Sequence, residues 1–158
     1  MIILSIVIVS FILVCLFAYL YVEWKDRKDN KIKIKLNEKL VSLCSLFGIP
    51  LEYKNDLGDA AGHILFYKDR TGRISLDSCK IEVLEEYKDE PWVLAHEIGH
   101  YIAIKNLHES TEEMANQRAR ELCCTLLSEQ EQKELKSTLD IHFKIPSPSF
   151  TITEIKYN

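Results

Sequence analysis

The chain has 158 residues, a formal net charge of -4 at pH 7 and 47% hydrophobic residues. This length supports one domain of ordinary size, and the acidic balance argues against a general nucleic-acid-binding surface. The five cysteines include no Cys-x-x-Cys pair. Reduced, buried thiols are therefore expected, rather than disulfides or a thiolate metal site.

The N-terminus carries an uncharged apolar run over residues 2–22. As a helix this run would be about 31 Å long, close to the ~30 Å hydrocarbon core of a bilayer. Tyr19, Tyr21 and Trp24 stand at its C-terminal edge, where aromatic rings favour the lipid headgroups. A cleaved signal peptide is the alternative, but no basic residue precedes the run and no small-x-small cleavage site follows it. The pattern predicts a transmembrane anchor over residues 1–23.

All 20 Lys and Arg residues follow Trp24, and six of them lie within residues 25–35. Basic residues concentrate on the cytoplasmic side of membrane segments. The sequence therefore predicts a single-pass protein of the cell membrane, with a charged juxtamembrane connector at residues 24–35. A folded domain over residues 36–140 would lie in the cytoplasm, followed by a C-terminal tail over residues 141–158.

The first part of this domain predicts one helix and a small sheet. Residues 36–47 place apolar side chains at helical spacing until Gly48 and Pro50 end the pattern. Residues 49–53 predict a short strand, and residues 63–76 predict a hairpin with its turn at residues 69–72. His63 is expected to be a half-buried strand residue. The sheet is expected to be antiparallel, and its edge could pair with an extended peptide substrate. An equally good alternative is that the hairpin only covers the hydrophobic core.

The segment 79–87 is predicted to be a short helix or a turn, and a longer helix is predicted next, with Trp92, Val93, Ile98 and Ile102 on its apolar faces. Asp89 could cap this helix and Pro91 fits its first turn. The helix contains His96-Glu97-Ile98-Gly99-His100. Four residues advance about 400° around a helix, so the two histidines share a face.

Two imidazoles so placed can bind one Zn²⁺, and Glu97 beside them can take a proton from zinc-bound water. The alternative is a pair of histidines with a purely structural role. A catalytic zinc needs three protein ligands and one open position, and the candidates after His100 are His108, Glu109, Glu112 and Glu113. Ala103 and Asn106 exclude the metzincin spacing.

Glu112 is favoured as the third ligand because of the helix that it begins. Ser110 or Thr111 could cap a helix over residues 112–127, in which Asn116 shares a face with Glu112. Asn116 could then hydrogen-bond a ligand imidazole, while the small side chains of Ala115 and Ala119 would allow a close approach to the first helix. Further on, Ser128 and Glu131 can form a capping box, which predicts a short helix through about residue 139. The alternating residues 150–155 could add a strand.

The pattern His96-Glu97-x-x-His100 followed by Glu112-x-x-Ala115-Asn116-x-x-Ala119 resembles the ImmA/IrrE-type zinc metallopeptidases, a branch of the gluzincins found in bacteria, phages and mobile elements. The resemblance covers residues 62–127. It implies a zincin-like α+β domain, one Zn²⁺ ion and selective cleavage of a protein, in known members often a transcriptional repressor. The spacing between His100 and Glu112 is short for this pattern, and Asn116 stands where many gluzincins have Asp.

The predicted function is a membrane-anchored zinc endopeptidase with His96, His100 and Glu112 as metal ligands and Glu97 as the general base. Its expected partners are a protein substrate, either a repressor or a membrane-proximal protein, and the membrane, but no nucleic acid. The oxyanion-stabilising residue stays open among Tyr87, Tyr101, His108 and His142. The alternative function is a catalytically silent, membrane-tethered zinc-fold protein, which has no chemical need for the Glu97 carboxylate.

Overall fold

The computed structural model describes residues 2–68, 74–143 and 154–155. The chain divides into two compact units, Met1–Ile32 and Lys33–Asn158. The helices are α1 (Ile2–Phe47), α2 (Pro91–Leu107), α3 (Glu112–Leu126), α4 (Glu129–Glu134) and α5 (Lys136–His142). The strands are β1 (Leu51–Lys54), β2 (Gly62–Lys68), β3 (Ile74–Leu84) and β4 (Glu154–Ile155), and a 3-10 turn follows β3 at Glu85–Tyr87. The fold class is α+β, as predicted for the folded domain.

The prediction of a transmembrane anchor is contradicted. Among the described residues, no helix combines the length and the apolar character needed to cross a bilayer. The side chains of residues 1–9 lie outside the described part. The cytoplasmic location, which was inferred from this anchor, stays a prediction.

Helix α1 continues through residues 24–35, the charged connector, which the sequence allowed to be part of a continued helix. Its last part, predicted at residues 36–47, is confirmed as an amphipathic helix because Leu36, Leu40 and Cys44, four residues apart, are all buried. The helix ends at Gly48, whose φ of +69° lies in the left-handed region that favours glycine.

The sheet is mixed, with the strand order β1-β3-β2-β4. Strands β2 and β3 form the predicted antiparallel hairpin, whose turn at residues 69–72 lies outside the described residues. The expectation of a wholly antiparallel sheet is wrong, because β1 runs parallel to β3 and β4 runs parallel to β2. The predicted helix or turn over residues 79–87 is also wrong for most of its length. Buried Ile81 and Val83 alternate with polar neighbours, which is the two-residue period of a strand.

The two faces of the sheet differ in character. One face carries Ile64, Ile81 and Val83, which are buried. On the other face, His63 Nε2 lies 2.8 Å from Glu82 Oε2, and Lys80 Nζ lies 2.6 Å from the same carboxylate. His63 is thus a half-buried strand residue, as expected, within an ion-pair network across β2 and β3.

Helix α2 is the centre of the folded unit, since 13 of its 17 residues are buried. Pro91 occupies its first turn as predicted, but Asp89 does not cap it: the N-cap is Glu90, without a side-chain hydrogen bond. Around α3 and α4 the predicted caps are confirmed. Thr111 accepts a hydrogen bond from the Met114 backbone N–H, and the capping box at the start of α4 is present. The single helix expected through residue 139 is divided at Leu135 into α4 and α5.

Candidate metal centre

The two histidines of α2 meet at their Nε2 atoms. His96 Nε2 and His100 Nε2 are 3.0 Å apart, and the two rings are nearly perpendicular at 88°. Both side chains are buried, with exposures of 2% and 1%. One turn of helix places the rings side by side, and their Nε2 atoms turn toward the same point.

The Glu112 carboxylate completes the cluster from the first residue of α3. One of its oxygens lies 3.2 Å from His96 Nε2, and the other lies 3.5 Å from His100 Nε2. The geometry depends on the tight link between the two helices. Helix α2 ends with His108 in a left-handed conformation, at φ +59°, and α3 begins four residues later behind the Thr111 cap. The short spacing between His100 and Glu112 therefore places Glu112 directly opposite the histidines.

Close backbone contact between α2 and α3 brings the two sides of the cluster together. A Cβ atom at Gly99 would lie 2.3 Å from the Ala115 carbonyl oxygen and 3.1 Å from the Ala119 backbone nitrogen. Real Cβ atoms are not found that close, so only glycine fits this position. Ala115 and Ala119 are fully buried, in agreement with the expectation that small side chains let α3 approach α2.

Each imidazole is also held from its far side. His96 Nδ1 lies 2.9 Å from Asn116 Oδ1, the hydrogen bond expected from the sequence, and His100 Nδ1 lies 2.7 Å from Ser110 Oγ. The amide oxygen of Asn116 can only accept, so His96 carries its proton on Nδ1 and directs the Nε2 lone pair into the cluster. The sequence had suggested Ser110 only as a helix cap.

The donor atoms have the spacing of a tetrahedral zinc site. Ligand atoms bonded at about 2.0–2.2 Å to a tetrahedral ion lie about 3.3–3.6 Å from one another. The distances in this cluster are 3.0, 3.2 and 3.5 Å. Among the described residues, His96, His100 and Glu112 form a group able to hold a metal ion. Two imidazoles and one carboxylate are a donor set of catalytic zinc sites, so the residues fit a zinc ion.

The pKa values of the two histidines shift in opposite directions. Burial lowers the pKa of the His96 ring, but the carboxylates of Glu112 and Glu97 and the Asn116 side chain raise it, and the net shift is upward. Burial and the neighbouring His96 lower the pKa of His100 to about 4, although Glu112 opposes this.

Glu97 lies beside the cluster and against strand β2. Its side chain is 1% exposed, and its Oε1 atom has no hydrogen-bond partner in the described part of the chain. Burial raises the pKa of this carboxyl to about 8; His96 opposes the shift, Glu112 adds to it, and a hydrogen bond from the Ile64 backbone opposes it. A Cβ at Gly62 would lie 3.4 Å from Glu97 Oε1 and 2.8 Å from Val93 Cγ1. Strand β2 therefore leaves room for the free carboxylate oxygen.

Several other sequence candidates lie in different surroundings. Tyr101 stacks on Phe47 with ring centroids 5.6 Å apart, and His142 stacks on Trp92 at 5.1 Å. The remaining candidates for the third ligand or the oxyanion donor are exposed and outside the metal-binding group: Tyr87, His108, Glu109 and Glu113. The structure thus selects Glu112 from the four possible third ligands.

Comparisons with protein-family models, with curated proteins and with solved structures give no match to this chain. The resemblance to ImmA/IrrE-type peptidases stays a prediction that depends on the motif residues. The assignment as a candidate metal site depends on the cluster itself. The cluster has two histidines one helical turn apart, a carboxylate from the next helix and a buried glutamate that lies between the two histidines in the sequence.

Proposed function

We propose that this protein is a zinc-dependent endopeptidase that makes selective cuts in a protein substrate. The main support is the convergence of His96, His100 and Glu112 within coordination distance of a common centre, with the Glu97 carboxylate beside it. The buried Glu97 Oε1 has no hydrogen-bond partner in the described residues, and Glu112 Oε2 contacts the His96 ring at 3.2 Å. Buried polar atoms normally have partners, and a cation with its coordinated water would supply them here.

His96, His100 and Glu112 would hold the ion, and Asn116 and Ser110 would fix the orientation of the imidazoles. When bound, zinc supplies a Lewis acid that polarises a carbonyl group and lowers the pKa of a coordinated water to about 7. Three protein ligands leave a fourth position for that water. The Glu112 side chain is 40% exposed, so the cluster is accessible to solvent on this side.

Glu97 would act as the general base and then as the general acid. Its free Oε1 would accept a proton from the attacking water and deliver it to the departing amine. Glu97 is mostly protonated at neutral pH in the metal-free protein, because its pKa is about 8. It would ionise more readily beside a bound cation, since an opposite charge within ~4–6 Å favours the charged form. The Ile64 N–H would keep the carboxylate in place during the transfer.

The function is tested by comparing wild type, Glu97→Gln and Glu113→Gln proteins after loading with zinc. Each is incubated with unfolded casein and with a mixed peptide library, and new termini are identified by mass spectrometry. Wild type and Glu113→Gln are expected to cut at the same positions. Glu97→Gln is expected to bind one zinc ion and to produce no cuts. Equal cleavage by Glu97→Gln would refute the general-base role.

Cleavage by none of the three, with zinc bound by all, would favour the catalytically silent alternative on these substrates. Comparing new protein termini in cells that carry wild type or Glu97→Gln extends the test to natural substrates. A set of termini present only with wild type is expected. The same termini in both cell lines would refute the proposed activity.

A further inference from the structure

The two imidazoles of the cluster are both oriented by neutral groups. His96 is bonded to the Asn116 amide at 2.9 Å, and His100 to the Ser110 hydroxyl at 2.7 Å. Metal-binding histidines are often bonded to a carboxylate instead, which raises the basicity of the ring and tightens its hold on the metal. A neutral oxygen orients the ring equally well but adds no charge.

The charge within the cluster explains why neutral partners suit it. Glu112 and Glu97 already bring two carboxyl groups to the cluster, as many as would balance a divalent cation. On the side of His96 the cluster is buried, since His96, Glu97 and Asn116 are all buried, whereas the Glu112 side chain is 40% exposed. An aspartate in place of Asn116 would add a third carboxyl group near these two, in surroundings that screen charge poorly. It would also strengthen the His96–metal bond.

We propose that Asn116 and Ser110 are positioning residues that keep metal affinity low, so that the ion is exchangeable and the activity follows the supply of zinc. The proposal rests on the proposed zinc site. The same neutrality leaves more positive charge on the bound ion, because less basic ligands donate less electron density to it. Weak retention of the ion and strong polarisation of a substrate carbonyl therefore have one cause.

The test measures the zinc affinity of metal-free protein by competition with a chromophoric chelator at neutral pH. Asn116→Asp is compared with wild type and with Asn106→Asp, which makes the same chemical change at an exposed residue in the last turn of α2. Asn116→Asp is expected to bind zinc about 10- to 100-fold more tightly and to release it correspondingly more slowly to excess chelator. Asn106→Asp is expected to match wild type.

Equal or weaker zinc binding by a folded Asn116→Asp protein overturns the proposal. If this variant does not fold, Ser110→Asp makes the corresponding change at His100, with the same expected and refuting results. A wild-type Kd of about 1 pM or tighter, the strong end of the range for structural zinc sites, also overturns it.

These measurements do not require peptide cleavage. If wild type binds zinc and cuts nothing, the proposed peptidase function fails while the affinity comparison still decides this proposal. Failure of wild type to bind zinc overturns both.

Discussion

The buried Glu97 carboxyl should make the metal-free protein less stable as the pH rises. The pKa of Glu97 is raised from the ordinary 4.5 to about 8, chiefly by burial. Between these values the unfolded chain has lost the proton that the folded chain keeps. The free energy of unfolding therefore falls by about 1.4 kcal/mol for each pH unit, which reaches at most about 5 kcal/mol over the whole range.

The effect of Glu97 on the free energy of unfolding is clearest above pH 6.5. His100 contributes in the opposite direction at lower pH, because its folded pKa is lowered from 6.5 to about 4 and its stabilising contribution is lost as the pH falls through that range. From about pH 6.5 to about pH 8, Glu97 should remove about 2 kcal/mol from the stability of the metal-free protein, and His96, whose pKa is also raised, should add to the loss in the same direction. Replacing Glu97 with Gln keeps the shape and removes the titrating group.

The assay is urea denaturation of chelator-treated protein, followed by circular dichroism, at several pH values from about 6.5 to about 8. Wild type should lose stability across this window, and Glu97→Gln should lose markedly less and become the more stable protein at the upper end. Glu113→Gln, which removes an exposed carboxylate, should behave as wild type. The reasoning is refuted if wild type and Glu97→Gln show the same dependence on pH.

Glu112→Ala should lose bound zinc in elemental analysis while Glu113→Ala keeps it; the opposite result would move the third ligand by one residue. Gly99→Ala should destabilise the fold by about 3 kcal/mol or more, because the new Cβ meets the Ala115 carbonyl, which cannot yield without moving α3. A melting temperature and zinc content equal to wild type would contradict this. Hydrogen bonds from Lys35 and from the Ser128 backbone and hydroxyl lower the pKa of Glu131 to about 2. Wild type should accordingly lose stability as the pH falls from about 4.5 toward about 2, and Glu131→Gln should show a flatter acid dependence in the same denaturation assay.

The parts of the site that depend on helical periodicity were predictable from the sequence. A spacing of four residues aligns His96 with His100, and the same spacing aligns Glu112 with Asn116. Small residues at helical spacing in α3 likewise indicated its close packing against α2. These relations hold within a single helix or between two helices that are adjacent in the chain.

The features that the sequence reasoning missed arise from contacts between distant segments or from loop conformation. The hydrogen bond between Ser110 and His100 depends on the left-handed turn at His108, and no sequence pattern predicts that turn. The backbone bond from Ile64 to Glu97 involves a main-chain group, and no side-chain pattern encodes it. The second half of β3, over residues 79–84, was predicted as a helix or turn because short alternating segments with charged residues are ambiguous between strand and turn.

The anchor was predicted from the apolar run over residues 2–22, its aromatic edge and the basic residues that follow it. Among the described residues, no helix is long and apolar enough to cross a bilayer. The direction of β1 was also wrong, because alternation along a strand identifies its buried face and carries no information on which neighbour it pairs with.

The ligands and their supports occupy one helical hairpin, from His96 to Asn116, joined by the four residues 108–111. Closing so short a loop costs little chain entropy, and contacts between near neighbours in sequence form early when a protein folds. This pair of helices should therefore form early in folding, and a cation captured at that stage would hold α3 against α2 before the C-terminal helices pack onto them.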